Sequence, residues 1–224
     1  MNIELQYPWT IICEGIADQA FFLNMIQERG LPNFDVPFPT KESGGGRSAF
    51  AGMLSGLRVA TKSRKIDAIL IVSDNDDDPG RSFGEVQKQI KLAEDYPIPE
   101  TPMQVARAEG QPAILIMMLP WTDIPGCLES LYKKIFLRTQ NPLMECVDEF
   151  LKCACVTRWD EVQKRDKAAF QCFIAGSNKE DPNKSLANLL RKTNHQFNRL
   201  FPVTAPEFDG IANVLQNFGA IVAR

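Results

Sequence analysis

The chain has 224 residues, 44% of them hydrophobic, and a formal net charge of −3. This length predicts one large domain, or one domain with an extension, and enough apolar side chains for a full core. The negative net charge argues against a protein that coats nucleic acid without selectivity. No apolar run approaches the roughly 18 residues of a membrane span. The first nine residues lack the basic and apolar regions of a signal peptide.

The six cysteines indicate a reducing compartment. They are Cys13, Cys127, Cys146, Cys153, Cys155 and Cys172. No CxxC pair occurs among them, and their spacing is not that of a small disulfide scaffold, so we expect reduced thiols in a cytoplasmic protein. Cys153 and Cys155 with the single histidine, His195, would be a poor ligand set for zinc.

Apolar runs alternate with helical patterns along the first 140 residues. Strands are predicted at residues 9–13, 34–38, 65–73 and 113–119. Helices are predicted at residues 16–29, 48–61, 81–94 and 126–137. A glycine loop at 44–46, a turn at Pro79-Gly80 and a proline-rich loop at 96–102 connect them. This alternation predicts an α/β fold in which helices cover both faces of a parallel sheet.

From residue 142 onward the pattern is helical, without clear strands. The predicted organisation is therefore an α/β domain at residues 1–141 and a helical extension at 142–224. The extension either packs on the first domain or continues it as one domain.

Acidic residues follow two of the predicted strands. Glu14 follows the first strand, with Asp18 one helical turn later, and Asp74 and Asp76 follow the third strand. Ligands bind at the carboxyl ends of strands in open α/β sheets, so these carboxylates are expected to converge. Clustered carboxylates repel one another unless a cation neutralises them. Mg²⁺ or Mn²⁺ suits a site made of oxygen ligands.

The order of these motifs resembles the TOPRIM domain, the metal-binding Rossmann-like fold of topoisomerases, primases and OLD-family nucleases. The matching motifs are Glu14-Gly15 and, 60 residues later, Asp74-Asn75-Asp76. The resemblance covers about residues 9–135. It is greatest to small stand-alone proteins of the OLD-type branch, because the segment Pro125-Gly126-Cys127-Leu128-Glu129 also matches that branch. The resemblance implies a Rossmann-like sheet between helices, with a helical C-terminal extension.

The resemblance also implies roles for individual residues. The implied metal ligands are Glu14, Asp18, Asp74, Asp76 and Glu129. Glu14 is in addition a candidate general base, and Lys167 is the candidate that stabilises charge on the phosphate, with Lys164 and Lys184 as competitors. At Cys127 the OLD-type pattern has a serine.

Structural interpretations of the same residues stay open. Glu14 and Asp18 are also favourable acids at a helix N-terminus. Residues 74–78 can be a solvated acidic turn, and Glu129 an exposed helix residue. Asp123 is either a further ligand or a plain loop acid.

Two other known motifs fit parts of the chain less well. Asp74, Asp76, Asp78 and Glu85 occupy positions 1, 3, 5 and 12 of an EF-hand loop. Pro79 stands where that loop needs glycine, however, and a strand precedes it instead of a helix. Residues 44–46 with Arg47 and Ser48 could cradle a phosphate, but they lack the Gly-Lys-Ser/Thr ending of a P-loop, which favours a flexible turn.

Charge distribution links the acidic motifs to a function. Residues 151–200 hold ten Lys or Arg against five Asp or Glu, while the rest of the chain is acidic. An acidic metal site beside a basic segment suits a phosphodiester substrate, although a solvated helical face would carry the same charges. The sequence therefore predicts Mg²⁺- or Mn²⁺-dependent cleavage of DNA or RNA.

The resemblance implies a separate ATPase partner of the ABC or AAA type, in defence against phages or plasmids. The main alternative is a non-catalytic TOPRIM fold that serves as a binding or interaction module. A small-molecule phosphohydrolase is the third class, and it would need a closed pocket.

Overall fold

The fold is built on one mostly parallel sheet. A computed structural model describes residues 5–37, 45–60, 66–177, 179, 181–190 and 202–223. Its strands are β1 (Trp9–Ile12), β2 (Ala68–Asp74), β3 (Val105–Ala106) and β4 (Ala113–Leu119). Within the described ranges the strand order is β1-β2-β4-β3. β1 and β4 pair in parallel with β2, and β3 pairs antiparallel with β4.

Burial on both faces explains why the central strands are continuously apolar. Every residue of β4 is buried. Along β2 the side chains alternate between two cores: Ile69 and Ile71 join one, while Leu70 and Val72 join the other. A strand covered on both faces needs apolar side chains at successive positions, because each face then packs against helices.

Helices supply those covers. One face carries α2 (Phe50–Ala60) and α3 (Pro79–Ala93), and the other carries α1 (Ile16–Glu28) and α4 (Leu128–Arg138). The chain continues through α5 (Pro142–Cys153), α6 (Val162–Ser177), α7 (Leu186–Leu190), α8 (Asp209–Gln216) and α9 (Phe218–Ala223), with 3₁₀ turns at Arg47–Ala49, Val156–Arg158 and Pro206–Phe208. No helix in the described ranges is long and apolar enough to cross a membrane.

The predicted fold class is confirmed: the structure is a Rossmann-like α/β sheet between helices, followed by a helical C-terminal extension. Phe173 of α6 and Leu215 of α8 belong to the same core as Ile11 of β1. The division between residues 141 and 142 stays a prediction.

One predicted strand is absent from the described residues, and one short strand was not predicted. Instead of a strand at 34–38, the structure has a single parallel bridge between Asp35 and Thr10, and Phe38 lies outside the described residues. The antiparallel strand β3 was not predicted, because two residues are too few to show a period.

Several element ends also differ from prediction. Pro79 begins α3 and does not form a turn before it, because Asp78 Oδ1 accepts a hydrogen bond from Arg81 N at 2.9 Å and proline is favoured in the first helical turn. α2 is preceded by a 3₁₀ turn and ends at Ala60. The predicted positions Gly44, Thr61 and Lys65 lie outside the described residues.

A buried carboxylate fixes α6 against the sheet domain. Asp166 accepts hydrogen bonds from Ser130 Oγ at 2.6 Å and from Lys133 Nζ at 2.8 Å, both on α4. At the start of α6, Val162 N donates to Asp77 Oδ1 at 2.6 Å. These contacts set the position of α6 relative to the loops that follow β2 and β4.

Asn75 joins the same two loops. Its backbone N–H donates to Leu119 O at 2.7 Å. Its buried Nδ2 donates to the carbonyls of Trp121 at 2.7 Å, Ile124 at 2.8 Å and Thr122 at 3.2 Å. One side chain therefore holds the turn that carries the chain from β4 into α4.

We expect Asn75→Leu to lower the free energy of unfolding by about 2 kcal/mol, because three carbonyls of the loop after β4 lose their donor while the side-chain volume is nearly kept. Urea denaturation measures this change. Asn33→Leu is the matched control, since Asn33 is exposed and should change stability by less than about 0.5 kcal/mol. Equal effects of the two substitutions would contradict the role of Asn75.

Candidate metal centre

Carboxylates meet where three adjacent parallel strands end. Glu14 follows β1, Asp74 ends β2, and Glu129 lies in the first turn of α4, after β4. Asp74 N donates to Glu14 Oε1 at 3.1 Å, and Leu128 N donates to Asp74 Oδ1 at 3.1 Å. Asp74 is thus hydrogen-bonded to the segments that follow both neighbouring strands.

Four side chains form what we name the inner cluster: Asp18, Asp74, Cys127 and Glu129. The ligand atoms of Asp74, Cys127 and Glu129 all lie within 4.8 Å of one another. Asp18 lies in the first turn of α1, where its Oδ2 accepts a hydrogen bond from Gly15 N at 3.0 Å. The ligand atoms of Asp74, Cys127 and Glu129 are close enough to contact one ion, and the charge of Asp18 acts on Asp74 beside them.

Repulsion within this cluster appears in its proton affinities. Burial, followed by the charges of Glu14 and Glu129, raises the pKa of Asp18 to about 7. Burial, followed by the charges of Asp18 and Glu14, also raises the pKa of Asp74 well above its ordinary value, while Lys167 lowers it. Burial and the neighbouring carboxylate charges therefore both favour the protonated forms of Asp18 and Asp74 in the cation-free protein.

Lys167 is the basic side chain that faces the inner cluster. Its Nζ lies 3.4 Å from Asp74 Oδ2. Burial lowers the pKa of Lys167, but the charges of Asp74 and Glu129 raise it by more. The pKa of Lys167 is therefore above its ordinary value, and the ammonium keeps its proton. Lys164, three residues earlier on α6, pairs instead with Glu161 at 2.6 Å.

A second group of carboxylates surrounds Arg47, and we name Glu14, Asp76 and Glu85 the outer cluster. Arg47 Nε lies 3.2 Å from Glu14 Oε1, Nη2 lies 2.7 Å from Asp76 Oδ2, and Nη1 lies 3.0 Å from Glu85 Oε2. Nε also donates to Ser73 Oγ at 2.7 Å. One guanidinium thus connects the ends of β1 and β2 with α3.

The predicted ligands divide between the two clusters. Glu14, Asp18, Asp74 and Glu129 lie close to one another: burial and the charges of Glu14 and Glu129 raise the pKa values of Asp18 and Asp74. Lys167 lies beside them and lowers both values. Asp76 turns instead toward Arg47, on a backbone with a φ of 50°, which aspartate tolerates better than most residues. Asp123 stays in an exposed loop, hydrogen-bonded to Thr122.

Sequence reasoning missed the partners of these carboxylates. Ser73 Oγ donates to Glu14 Oε1 at 2.5 Å, yet a serine at a strand end is no signal by itself. The sequence places Arg47 after a glycine-rich loop, where it suggests a contact with phosphate. In the structure Gly46 N donates to Glu14 O at 2.9 Å, and the guanidinium contacts carboxylates. A lone arginine after a glycine-rich loop was the available signal.

The competing motifs do not fit the structure. An EF-hand needs a helix before its loop, but Ala68–Asp74 is a strand and Glu85 binds Arg47 and Arg81. Cys153 and Cys155 are exposed, and they belong to no metal-binding group found among the described residues. His195 lies outside the described residues.

A raised carboxyl pKa makes the stability of the cation-free protein depend on pH. The folded state binds the Asp18 proton more tightly than the unfolded state does, between the ordinary pKa near 4 and the folded pKa of about 7. In a chelator, the free energy of unfolding should therefore fall as pH rises from about 4 to about 7.

Asp18→Asn should make this pH dependence shallower, because the neutral amide cannot ionise yet can still accept from Gly15 N. Urea denaturation at several pH values measures the slope. Asp95→Asn is the matched control, since Asp95 forms an exposed pair with Arg58 and should keep the wild-type slope. An unchanged slope in Asp18→Asn would contradict the assignment.

Comparison with known proteins gives one match. Neither a curated protein nor a solved structure matches the chain. A sequence model described as "Protein of unknown function (DUF3226)" matches residues 8–219. That range includes all four strands, both clusters and α6. Because the match covers nearly the whole chain, this protein belongs to the DUF3226 family.

Proposed function

We propose that the protein is a Mg²⁺- or Mn²⁺-dependent nuclease of the TOPRIM type that cleaves phosphodiester bonds in DNA or RNA. One observation carries this proposal: partly buried, mutually repelling carboxylates meet at three parallel strand ends, with the protonated Lys167 against them. An arrangement that costs stability in the cation-free protein is most readily understood as a binding site.

The donor set of the inner cluster fits a hard divalent cation. Asp18, Asp74 and Glu129 offer carboxylate oxygens, and Glu14 lies beside them. Burial and the neighbouring charges of Glu129 and Asp74 raise the pKa of Cys127, so its thiol is protonated in the cation-free protein and the carboxylates supply the oxygen donors. A bound cation would polarise a phosphoryl oxygen and lower the pKa of a water molecule.

Glu14 and Lys167 have distinct roles in this proposal. Ser73 Oγ, Asp74 N and Arg47 fix Glu14 Oε1, so this carboxylate is held in one orientation as a ligand or general base. Lys167 carries a positive charge on a helix that Asp166 anchors, which suits stabilisation of charge that develops on the phosphate.

The chain around the start of α6 fits a nucleic-acid substrate. Arg158, Lys164 and Arg165 supply positive charge, and Trp159 is 44% exposed, as a base-stacking side chain must be. The first residue of α6, Val162, is hydrogen-bonded to Asp77 in the acidic turn at residues 74–78. The sugar-phosphate backbone of a nucleic acid bound along α6 would therefore pass the strand ends.

Partner and location complete the proposal. The net charge is negative, so attraction for a polyanion is weak in the isolated chain. A separate ABC- or AAA-type ATPase that delivers the substrate would overcome this weakness, as the TOPRIM resemblance implies. We place the activity in the cytoplasm, where the six free cysteines would stay reduced.

Mn²⁺ at about one hundred times its dissociation constant should stabilise the protein by about 2.7 kcal/mol, or roughly 5–10 °C in melting temperature. Asp74→Asn should lose most of this shift, because it removes a charged ligand but keeps the acceptor for Leu128 N. Differential scanning calorimetry with Mg²⁺ or Mn²⁺ measures it. Asp95→Asn, a surface acid paired with Arg58, should retain the full shift. No shift in wild type would overturn the metal site.

Glu14→Gln should abolish cleavage of DNA or RNA in Mn²⁺ without unfolding the protein, because it removes a ligand or base at nearly constant volume. Lys167→Met should lower turnover by roughly a hundredfold or more while changing Mn²⁺ affinity much less. Gel assays on single- and double-stranded substrates at low salt measure turnover, with and without the candidate ATPase.

Two matched controls separate these effects from general damage. Glu149→Gln removes an exposed acid of α5, and Lys91→Met removes an exposed lysine in the last turn of α3, so both should cleave like wild type. Equal activity of wild type and Glu14→Gln would indicate a contaminating nuclease. Inactive wild-type protein that still binds Mn²⁺ would favour the non-catalytic binding module.

A further inference from the structure

We propose that the centre binds a single divalent cation, in the inner cluster, and that the Arg47 guanidinium takes the place of a second cation between Glu14 and Asp76. This inference rests on the proposed function, because it concerns the same centre. The inference specifies one metal ion per chain and states that Asp76 is not a metal ligand.

The position of Arg47 carries the first step. Its Nε lies 3.2 Å from Glu14 Oε1 and its Nη2 lies 2.7 Å from Asp76 Oδ2. A divalent cation shared by these two carboxylates would lie about 2.0–2.1 Å from an oxygen of each. That space between the carboxylates is where the guanidinium already lies.

Electrostatics carries the second step. The Arg47 guanidinium keeps its charge at every working pH, and it lies against the carboxylates of Glu14 and Asp76. A second cation a few ångströms away would be repelled by this fixed charge. The outer cluster is thus neutralised from within the chain.

Anchoring explains why Arg47 should not simply move aside. The Arg47 side chain is only 13% exposed. Beyond Glu14 and Asp76 it donates to Ser73 Oγ at 2.7 Å, to Asp74 O at 2.5 Å and to Glu85 Oε2 at 3.0 Å. Displacement would break all these charge-assisted or buried hydrogen bonds at once.

Lys167 offers the contrast that assigns the ion to the inner cluster. Its side chain is 45% exposed, and its contact with Asp74 Oδ2 is long, at 3.4 Å. A flexible ammonium with one weak contact can yield its place to a cation or turn toward a phosphate. The inner cluster therefore has a replaceable counter-ion, and the outer cluster has a fixed one.

The test is the number of Mn²⁺ ions bound per chain, measured by isothermal titration calorimetry and by electron paramagnetic resonance. Two ions about 3.5–4 Å apart would be magnetically coupled, whereas one ion gives an uncoupled spectrum. We expect one ion in wild type and two in Arg47→Gln, which keeps hydrogen bonding but removes the charge. Circular dichroism checks that the variant is folded.

Two further variants sharpen the assignment. Arg81→Gln is the matched control, because Arg81 also contacts Glu85, at 3.1 Å, but is an exposed side chain of α3, so one ion should remain. Asp76→Asn should also keep one ion, with its affinity within about threefold of wild type, whereas Asp74→Asn should lose it. A loss of the ion in Asp76→Asn would overturn the inference.

The outcomes distinguish this inference from the proposed function. Two ions in wild type would overturn the role of Arg47 and leave a metal-dependent nuclease intact, whether or not Arg47→Gln folds. One bound ion in a folded Arg47→Gln would likewise overturn the role of Arg47, because removal of the guanidinium would not have opened a site for a second cation. No bound ion in wild type would overturn the inference and the proposed function together.

Discussion

Repulsion among carboxylates at the ends of three parallel strands is the constraint around which the centre is arranged. Strand pairing brings together Glu14, Asp74 and Glu129. Burial of the apolar strand residues stabilises this pairing, and that contribution does not depend on the charge of the three carboxylates. The cost is visible in the raised pKa values of Asp18 and Asp74. Without the apolar strands behind them, these side chains would move apart.

Arg47 and Lys167 both offset this repulsion by placing positive charge against the carboxylates, but they are held in different ways. Arg47 lies in the 3₁₀ turn before α2 and is surrounded by hydrogen-bond acceptors. Lys167 approaches from α6, and its position depends on the buried Asp166 and on the cap that Asp77 gives to Val162. The helical extension thus supplies the centre with a charged group that the sheet itself lacks. The proposed role of Lys167 therefore depends on how α6 packs against the sheet domain.

The proposed nuclease activity and the single-cation centre follow from the same asymmetry. A cluster with a loosely held ammonium can accept a metal ion and then a phosphate, because each new charge replaces a weak contact. A cluster with an enclosed guanidinium keeps its geometry through such exchanges. Glu14 belongs to both surroundings: Arg47 and Ser73 hold one oxygen, while its charge acts on Asp18 and Asp74. Membership of the DUF3226 family makes the same tests applicable to its other members that carry these residues.

The sequence by itself determined the α/β class, the three parallel strands and the meeting of Glu14, Asp74 and Glu129. These follow from local signals, because two-sided burial demands apolar runs and parallel strands place their carboxyl ends at one edge. Only the tertiary structure decided that Asp76 turns toward Arg47 and that Lys167, not Lys164, reaches Asp74. The Arg47–Asp76 contact joins residues 29 positions apart, and the Lys167–Asp74 contact joins residues 93 apart. No local pattern encodes such pairings, because they depend on how separate helices pack against the sheet.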